Sequence, residues 1–348
     1  MSVFADLRQK SPRALIIFQE FIKMTADISL IRQIVSGAAD VRFEAGKIEF
    51  YRMTAAQMSA YKNNADFFTK ARASSGIKFD FITDAGSIAL RGTFSSGSSR
   101  TYAFFDVKIN GILKFHEGQA DIRSTPAFDI TLELDGRENH VEIYFPCLVQ
   151  TTLEKFELQN HTKVLPVEKK RKILCFGDSI TQGYDAVYPT SAYPNQLADE
   201  LDAVVCNRAI GGEFFNPDLL TEKDPFSPDL ITVAYGTNDW SRKTRQELQD
   251  NAAEFFKRLT SLYPQTPIFA LLPIWRKDND RVTDAGTFEE ATEIIRKICS
   301  SHPSVRIIEG IPLVPHLASC FYDGYLHPND FGFQFMGRNL LKQIHFSS

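Results

Sequence analysis

Four short blocks in the second half of this 348-residue chain carry residue types that can act together on an ester. Gly177-Asp178-Ser179 ends the apolar run KILCF, Gly211-Gly212-Glu213 ends AVVCNRAI, and Gly236-Thr237-Asn238-Asp239 ends DLITVAY. Asp323-Gly324-Tyr325-Leu326-His327-Pro328-Asn329 lies near the end, before the last helical pattern. A serine hydroxyl is a weak nucleophile until a base takes its proton, and His327 is a base of the right kind for Ser179. The imidazolium so formed needs an orienting anion, and Asp323 is the nearest acid on its N-terminal side. A tetrahedral intermediate carries a negative oxygen that needs fixed donors, which the amides of Ser179 and Gly212 and the Asn238 side chain can supply.

Each block alone has a plainer reading. Gly-Asp-Ser is an ordinary strand-end turn, Gly-Thr-Asn-Asp is a plausible helix start, and His327 before Pro328 could be a satisfied surface histidine. Four such accidents in one order, each at an element boundary, are a poorer explanation than a shared site. Asp178 and Asp239 read as residues that hold their loops rather than react. Trp275, just past a strand end, fits either a pocket wall or packing, and nothing in the sequence fixes where Tyr184 and Asp185 point.

The elements that must position these residues follow from periodicity. From Lys172 onward, short apolar runs (KILCF, AVVCNRAI, DLITVAYG, PIFALLP, VRIIEG) alternate with helical patterns. In residues 244–263, Leu248, Ala252, Phe255 and Leu259 recur at helical spacing. Strands alternating with helices predict a parallel sheet covered on both faces, with functional loops beyond the carboxyl ends of the strands. Residues 76–160 instead alternate apolar and polar with period two: Phe128, Ile130, Leu132 and Leu134 share one face, as do Val141, Ile143 and Phe145. That pattern predicts a mostly antiparallel β-sandwich, and most of the 29 Phe residues, lying outside the motif loops, read as core rather than as ligand-stacking groups. Segments 11–35 and 54–73 read as helical and 40–52 as a hairpin, while the polar, basic stretch 161–172 reads as a linker. The expected organisation is a sandwich domain over 1–165 with a partly helical start, then a catalytic domain over 171–348.

The four blocks resemble those of the SGNH (GDSL-type) serine hydrolases over roughly residues 171–348. The resemblance implies a three-layer α/β/α domain around a parallel sheet, working without metal or cofactor. It implies Ser179 as nucleophile, His327 as base and Asp323 as its orienter, with Ser179, Gly212 and Asn238 as oxyanion donors. Gly212 rather than Gly211 matches the family because it lies five residues after Asn207. The last block departs from the family's Asp-x-x-His, since three residues separate Asp323 from His327. Either a one-residue bulge restores the contact, or the histidine leans on a backbone carbonyl and Asp323 merely caps a turn. A sandwich ahead of such a domain, jelly-roll-like in this resemblance, is similar to the arrangement of bacterial carbohydrate esterases. This implies short-chain, above all acetyl, esters on small-molecule or oligosaccharide alcohols. A general short-chain aryl or alkyl esterase is the close competitor. A glycan-binding protein with a silent hydrolase domain is the non-enzymatic alternative, and a scaffolding role for the first half in a homo-oligomer is compatible with either.

Composition narrows the rest. A net charge of −4 and a pI near 6.0 give no footing for nucleic acid, and Glu168–Lys172 is a short solvated run. Five cysteines without a CxxC pair fit reduced, buried thiols and a cytoplasmic setting. The longest N-terminal apolar run, Ala14 to Phe18, is too short for a secretion signal or a membrane span. GxSxG, HExxH, GxGxxG and P-loop patterns are absent, so nucleophile-elbow, zinc-protease and nucleotide-binding chemistry have no support.

Overall fold

The computed structural model describes residues 28–344 and 346, so the helical expectation for residues 11–27 lies outside the described residues. Within them, 28–34 are helical and 40–52 form a hairpin of Asp40–Glu44 on Lys47–Tyr51. The 54–73 segment forms two helices, Ala55–Ala60 and Ala65–Ala71, the first opened by a Thr54/Gln57 capping box. No helix among the described residues is long and apolar enough to cross a membrane.

Two antiparallel sheets make the sandwich. One runs Val35–Ser36, Lys78–Thr83, Asn139–Tyr144, Ala103–Ile109, Ile112–Gln119; the other runs Asp40–Glu44, Lys47–Tyr51, Val149–Gln159, Ser87–Ser96, Ala127–Glu133. Their inner faces interdigitate through aromatic rings. Phe50, Phe79 and Phe145 meet edge to face at 5.0–5.8 Å, and Phe105 bridges Phe128 and Phe145. Burying each such ring is worth about 1.5–3 kcal/mol. The stretch 161–172 is not a free linker: Val164–Pro166 pairs antiparallel with Phe81–Thr83. Its apolar residues complete an edge of the first sheet before the chain crosses over.

Beyond Arg171 lies a five-stranded parallel sheet, ordered Ala203–Asn207, Arg171–Gly177, Leu230–Ala234, Ile268–Leu271, Val305–Ile308. Its strands alternate across the layer. Ile173 and Cys175 pack toward the helices Tyr193–Glu200 and Asp330–Leu341, while Leu174 and Phe176 pack toward Arg245–Leu262 and Phe288–Ser300. In chain order the strands sit 2-1-3-4-5, so successive connections leave the first strand in opposite directions. A crevice opens beyond the carboxyl ends of the strands at that switch point. Gly177, Asn207 and Ala234 end the three strands that border it.

The Lys78–Thr83 and Asn139–Tyr144 strands of the first sandwich sheet are buried on both faces. On its outer side Lys78 Nζ lies 2.5 Å from Glu142, 3.2 Å from Asp80 and 3.6 Å from Asp199, which belongs to the Tyr193–Glu200 helix. Lys108 and the Tyr144 hydroxyl also bond Asp199. Arg52, fully buried, donates to the carbonyls of Lys70, Ala73 and Asn207, tying the first half to the second strand of the parallel sheet.

Candidate active site

Ser179 sits at the first position of a four-residue helix, Ser179–Gln182, entered through an Asp178 N-cap whose carboxylate accepts from the Ile180 amide. This geometry turns the Ser179 side chain into the crevice and leaves its own amide, in the first turn of the helix, without an intrahelical acceptor. The Ser179 Oγ lies 2.9 Å from His327 Nε2, and His327 Nδ1 lies 2.9 Å from Asp323 Oδ2.

The extra residue between Asp323 and His327 is absorbed by a tight loop. Phe321 and Pro328 form an isolated antiparallel bridge, and the Tyr322 amide donates to the His327 carbonyl. Within the loop, Asp323 Oδ1 accepts from the amides of Tyr325, Leu326 and His327 at 2.9, 2.7 and 3.2 Å. One carboxylate oxygen therefore folds the loop and the other faces the imidazole. Burial would raise the Asp323 carboxyl, but the His327 and amide hydrogen bonds outweigh it and hold it well below the usual carboxylate range.

The two glycines of the second block differ. The Gly211 amide donates to Gln182 Oε1 at 2.6 Å, and a Cβ at Gly211 would strike the Tyr184 ring at 2.5 Å. Gly212 has φ +86, a left-handed backbone that favours glycine, and its amide has no acceptor among the described residues. Asn238, the second residue of the helix Thr237–Arg242, gives one amide hydrogen to the Glu213 carbonyl at 3.1 Å, which leaves the other. The Ser179 and Gly212 amides and the Asn238 Nδ2 thus lie in the loops beyond three neighbouring strands, each with a donor hydrogen to spare.

Buried acids stand behind this wall. Burial pushes Asp178 up to about 6 against the pull of the Ile180 amide, and Asp239 up to about 7 against the Phe215 amide. Glu213, reached by the hydroxyls of Tyr61 and Tyr235 and by Asn216, is pushed by burial up to about 8. Glu213 is thereby held mainly as the neutral acid near neutral pH, while Asp178 and Asp239 accept from the Ile180 and Phe215 amides and keep their loops in register. Trp275 stacks on His316 at 5.4 Å and meets Phe321 at 5.2 Å, a packing arrangement beneath the histidine loop.

Sequence reasoning passed over Gln182, Arg52, Glu213 and Arg100, and left Asp185 undirected. Asp185 is fully buried, with Oδ2 at 3.7 Å from His327 Nδ1. No local pattern signals these residues, because the partners Asn207, Gly211, Tyr61 and Asp185 lie 29 to 155 positions away in the chain. Where carboxylates and histidine cluster elsewhere, at Asp80, His140 and Glu142, the Lys78 ammonium already spans the acids.

Residues 175–335 match the model of the GDSL-like lipase/acylhydrolase family. No curated protein matches the chain. Among solved structures it is similar to the salicylyl-acyltransferase SsfX3 from a tetracycline biosynthetic pathway, at TM-score 0.75 and 18% identity over 89% of this chain and 93% of that one. It is also similar to a family two carbohydrate esterase from Clostridium thermocellum in complex with cellohexaose, at TM-score 0.59 and 17% identity, covering 78% and 92%. An acetyl xylan esterase, Est2A, from Butyrivibrio proteoclasticus aligns at TM-score 0.60 and 13% identity, covering 89% and 94%. At these identities the likeness is one of fold, and it extends over both halves of the chain.

Proposed function

From the premise that residues 175–335 carry a GDSL-like lipase/acylhydrolase domain, we propose that this protein is a serine esterase that works through an acyl-enzyme. The observation that carries the reading is the relay from Ser179 Oγ through His327 to Asp323, with 2.9 Å at each contact. His327 Nε2 takes the Ser179 proton as Oγ bonds to the ester carbonyl carbon, and the carbonyl oxygen becomes an oxyanion held by Ser179 N, Gly212 N and Asn238 Nδ2. The imidazolium, steadied by Asp323, returns the proton to the leaving alcohol as its bond to carbon breaks. Water then enters, gives a proton to His327 and attacks the acyl carbon; the acyl–Oγ bond breaks, Oγ takes the proton back from His327, and the carboxylic acid leaves.

The substrate we propose is a short-chain, acetyl ester on a carbohydrate. Support comes from the sandwich-plus-hydrolase arrangement shared with the carbohydrate esterases and the acetyl xylan esterase, an argument by architecture. A second reading is acyl transfer to an alcohol other than water, supported by the fold likeness to the salicylyl-acyltransferase. In this reading the same acyl-enzyme forms and a bound hydroxyl replaces water. The domain limits 1–165 and 171–348 are proposed with it, as is action on a small-molecule or oligosaccharide ester rather than at a membrane or on nucleic acid.

The test is hydrolysis of p-nitrophenyl acetate, p-nitrophenyl butyrate and an acetylated xylo-oligosaccharide by wild type and Ser179→Ala. Turnover that disappears in the variant supports the serine mechanism, and preference for the oligosaccharide supports sugar deacetylation. Faster p-nitrophenol release with added alcohols, together with transesterified product, favours the transferase reading. A folded wild type that turns over no ester defeats the proposal and favours a binding protein.

A further inference from the structure

His327 faces two carboxylates, and only one of them belongs to its own loop. Asp185 follows the serine helix, is fully buried, and holds φ +67, a left-handed conformation that a non-glycine residue adopts at some cost. Its Oδ2 points at His327 Nδ1 from 3.7 Å, on the same nitrogen that Asp323 contacts at 2.9 Å. An isolated carboxylate in that position would be costly. Its counter-charge comes from the other half of the chain: Arg100, in the sandwich loop between Ser87–Ser96 and Ala103–Ile109, grips it with Nε at 2.6 Å and Nη2 at 2.7 Å. The Tyr184 ring completes the triangle, 5.5 Å beneath the guanidinium and 5.4 Å from the imidazole. Gly211 is what lets that ring in.

We propose that Asp185, clamped by Arg100 of the sandwich, is a second acceptor for the His327 Nδ1 proton, so that the sandwich positions the general base. The proposal rests on the serine-esterase reading for its catalytic meaning. Asp323 is the primary acceptor, but it lies on a solvent-facing loop, whereas Asp185 is fixed in the interior by a forked arginine. When the loop loosens, Nδ1 still meets a carboxylate, and the tautomer that leaves Nε2 free to accept the Ser179 proton is kept. The other titratable groups facing this triangle are Asp178, which senses His327 through the serine loop, and the Tyr102 hydroxyl beside Asp185. The Tyr102 oxygen is buried without a hydrogen-bond partner among the described residues. Arg100 and Asp185 act through His327 and are positioning residues.

A double-mutant cycle on the full chain tests this: Asp185→Asn, Asp323→Asn and the pair, with kcat and KM on p-nitrophenyl acetate from pH 5 to 9. A shared acceptor role predicts that Asp185→Asn costs at least about fivefold more in kcat when Asp323 is already Asn than in wild type. KM stays within about twofold. Removing the Asp185 charge while leaving Arg100 disfavours the imidazolium, so the acid limb of kcat/KM in Asp185→Asn moves down by about half a unit or more. Arg100→Met lowers kcat, and Arg100→Lys, which keeps the charge, restores most of it. If Arg100→Met does not fold, the shape-conserving Asp185/Asp323 cycle decides alone. Additive costs with an unmoved limb overturn the proposal. Should wild type turn over no ester, the esterase reading fails by itself. An NMR titration of the His327 ring in wild type and Asp185→Asn then decides this inference, a downward shift supporting it and no shift overturning it.

Discussion

The two walls of the site are built on opposite principles. The wall carrying Ser179, Gly212 and Asn238 grows from three neighbouring strand ends, and Ser179, Gln182 and Asn238 are buried among them. The wall carrying His327 is a solvent-facing loop folded by one of its own carboxylates and closed by a single bridge. Donors for a developing charge must not reorganise during reaction, and a sheet edge suits that need. A base must swing a proton between two oxygens, and a locally folded loop suffices if something outside it limits its drift.

The largest effect expected on this contrast is at Ser179. Ser179→Ala should remove at least about 10³-fold of kcat on p-nitrophenyl acetate in steady-state assays, leaving only what binding and the oxyanion donors contribute. On the same wall, Asn238→Ala should cost on the order of 10²–10³ in kcat with little change in KM; a change confined to KM would remove Asn238 from the oxyanion set. Gln182→Ala orphans the buried Gly211 amide and loosens the glycine pair, and we expect about tenfold lower kcat together with a lowered melting temperature. If Gln182→Ala matches wild type, the strand-end wall does not need its internal cross-brace.

The smallest effect is in stability and concerns pH. Burial pushes Glu213 from the ordinary glutamate value of 4.5 up to about 8 in the folded chain, so the folded state holds a proton that the unfolded state has released. Between these values folding stability therefore falls as pH rises. Glu213→Gln removes this contribution, and its melting temperature should decline less than that of wild type between pH 5 and 8. Parallel declines in circular-dichroism melts would show that Glu213 ionises freely and that the wall is wetter than its burial indicates.

The sequence made the strand-end wall readable, because each donor lies within two residues of a glycine in a block that follows an apolar strand. Phe128, Ile130 and Leu132 were likewise readable, since the residues between them meet water and alternation survives. The same rule fails at Asn139–Tyr144, where Glu142 and Tyr144 are as buried as Val141 and Ile143. There the polar face is covered by the Tyr193–Glu200 helix and satisfied by Lys78 and Asp199, partners that no local pattern reveals. The 161–172 stretch was misread for a related reason: three residues pairing with a distant edge strand leave no periodicity to detect. Asp185 and Arg100, 85 positions apart, meet only once both halves have folded.

Arg52 has a consequence for how such a chain can change over generations. Its guanidinium spends donors on both sides of the seam, two carbonyls in its own half and the Asn207 carbonyl in the other. Cut near residue 170, the hydrolase half would leave that carbonyl and the Asp199 carboxylate facing water, and the sandwich half would keep a buried arginine with one partner lost. A gene encoding this arrangement cannot trade its first half like an interchangeable cassette. The halves must vary together, or the seam must first be rewritten.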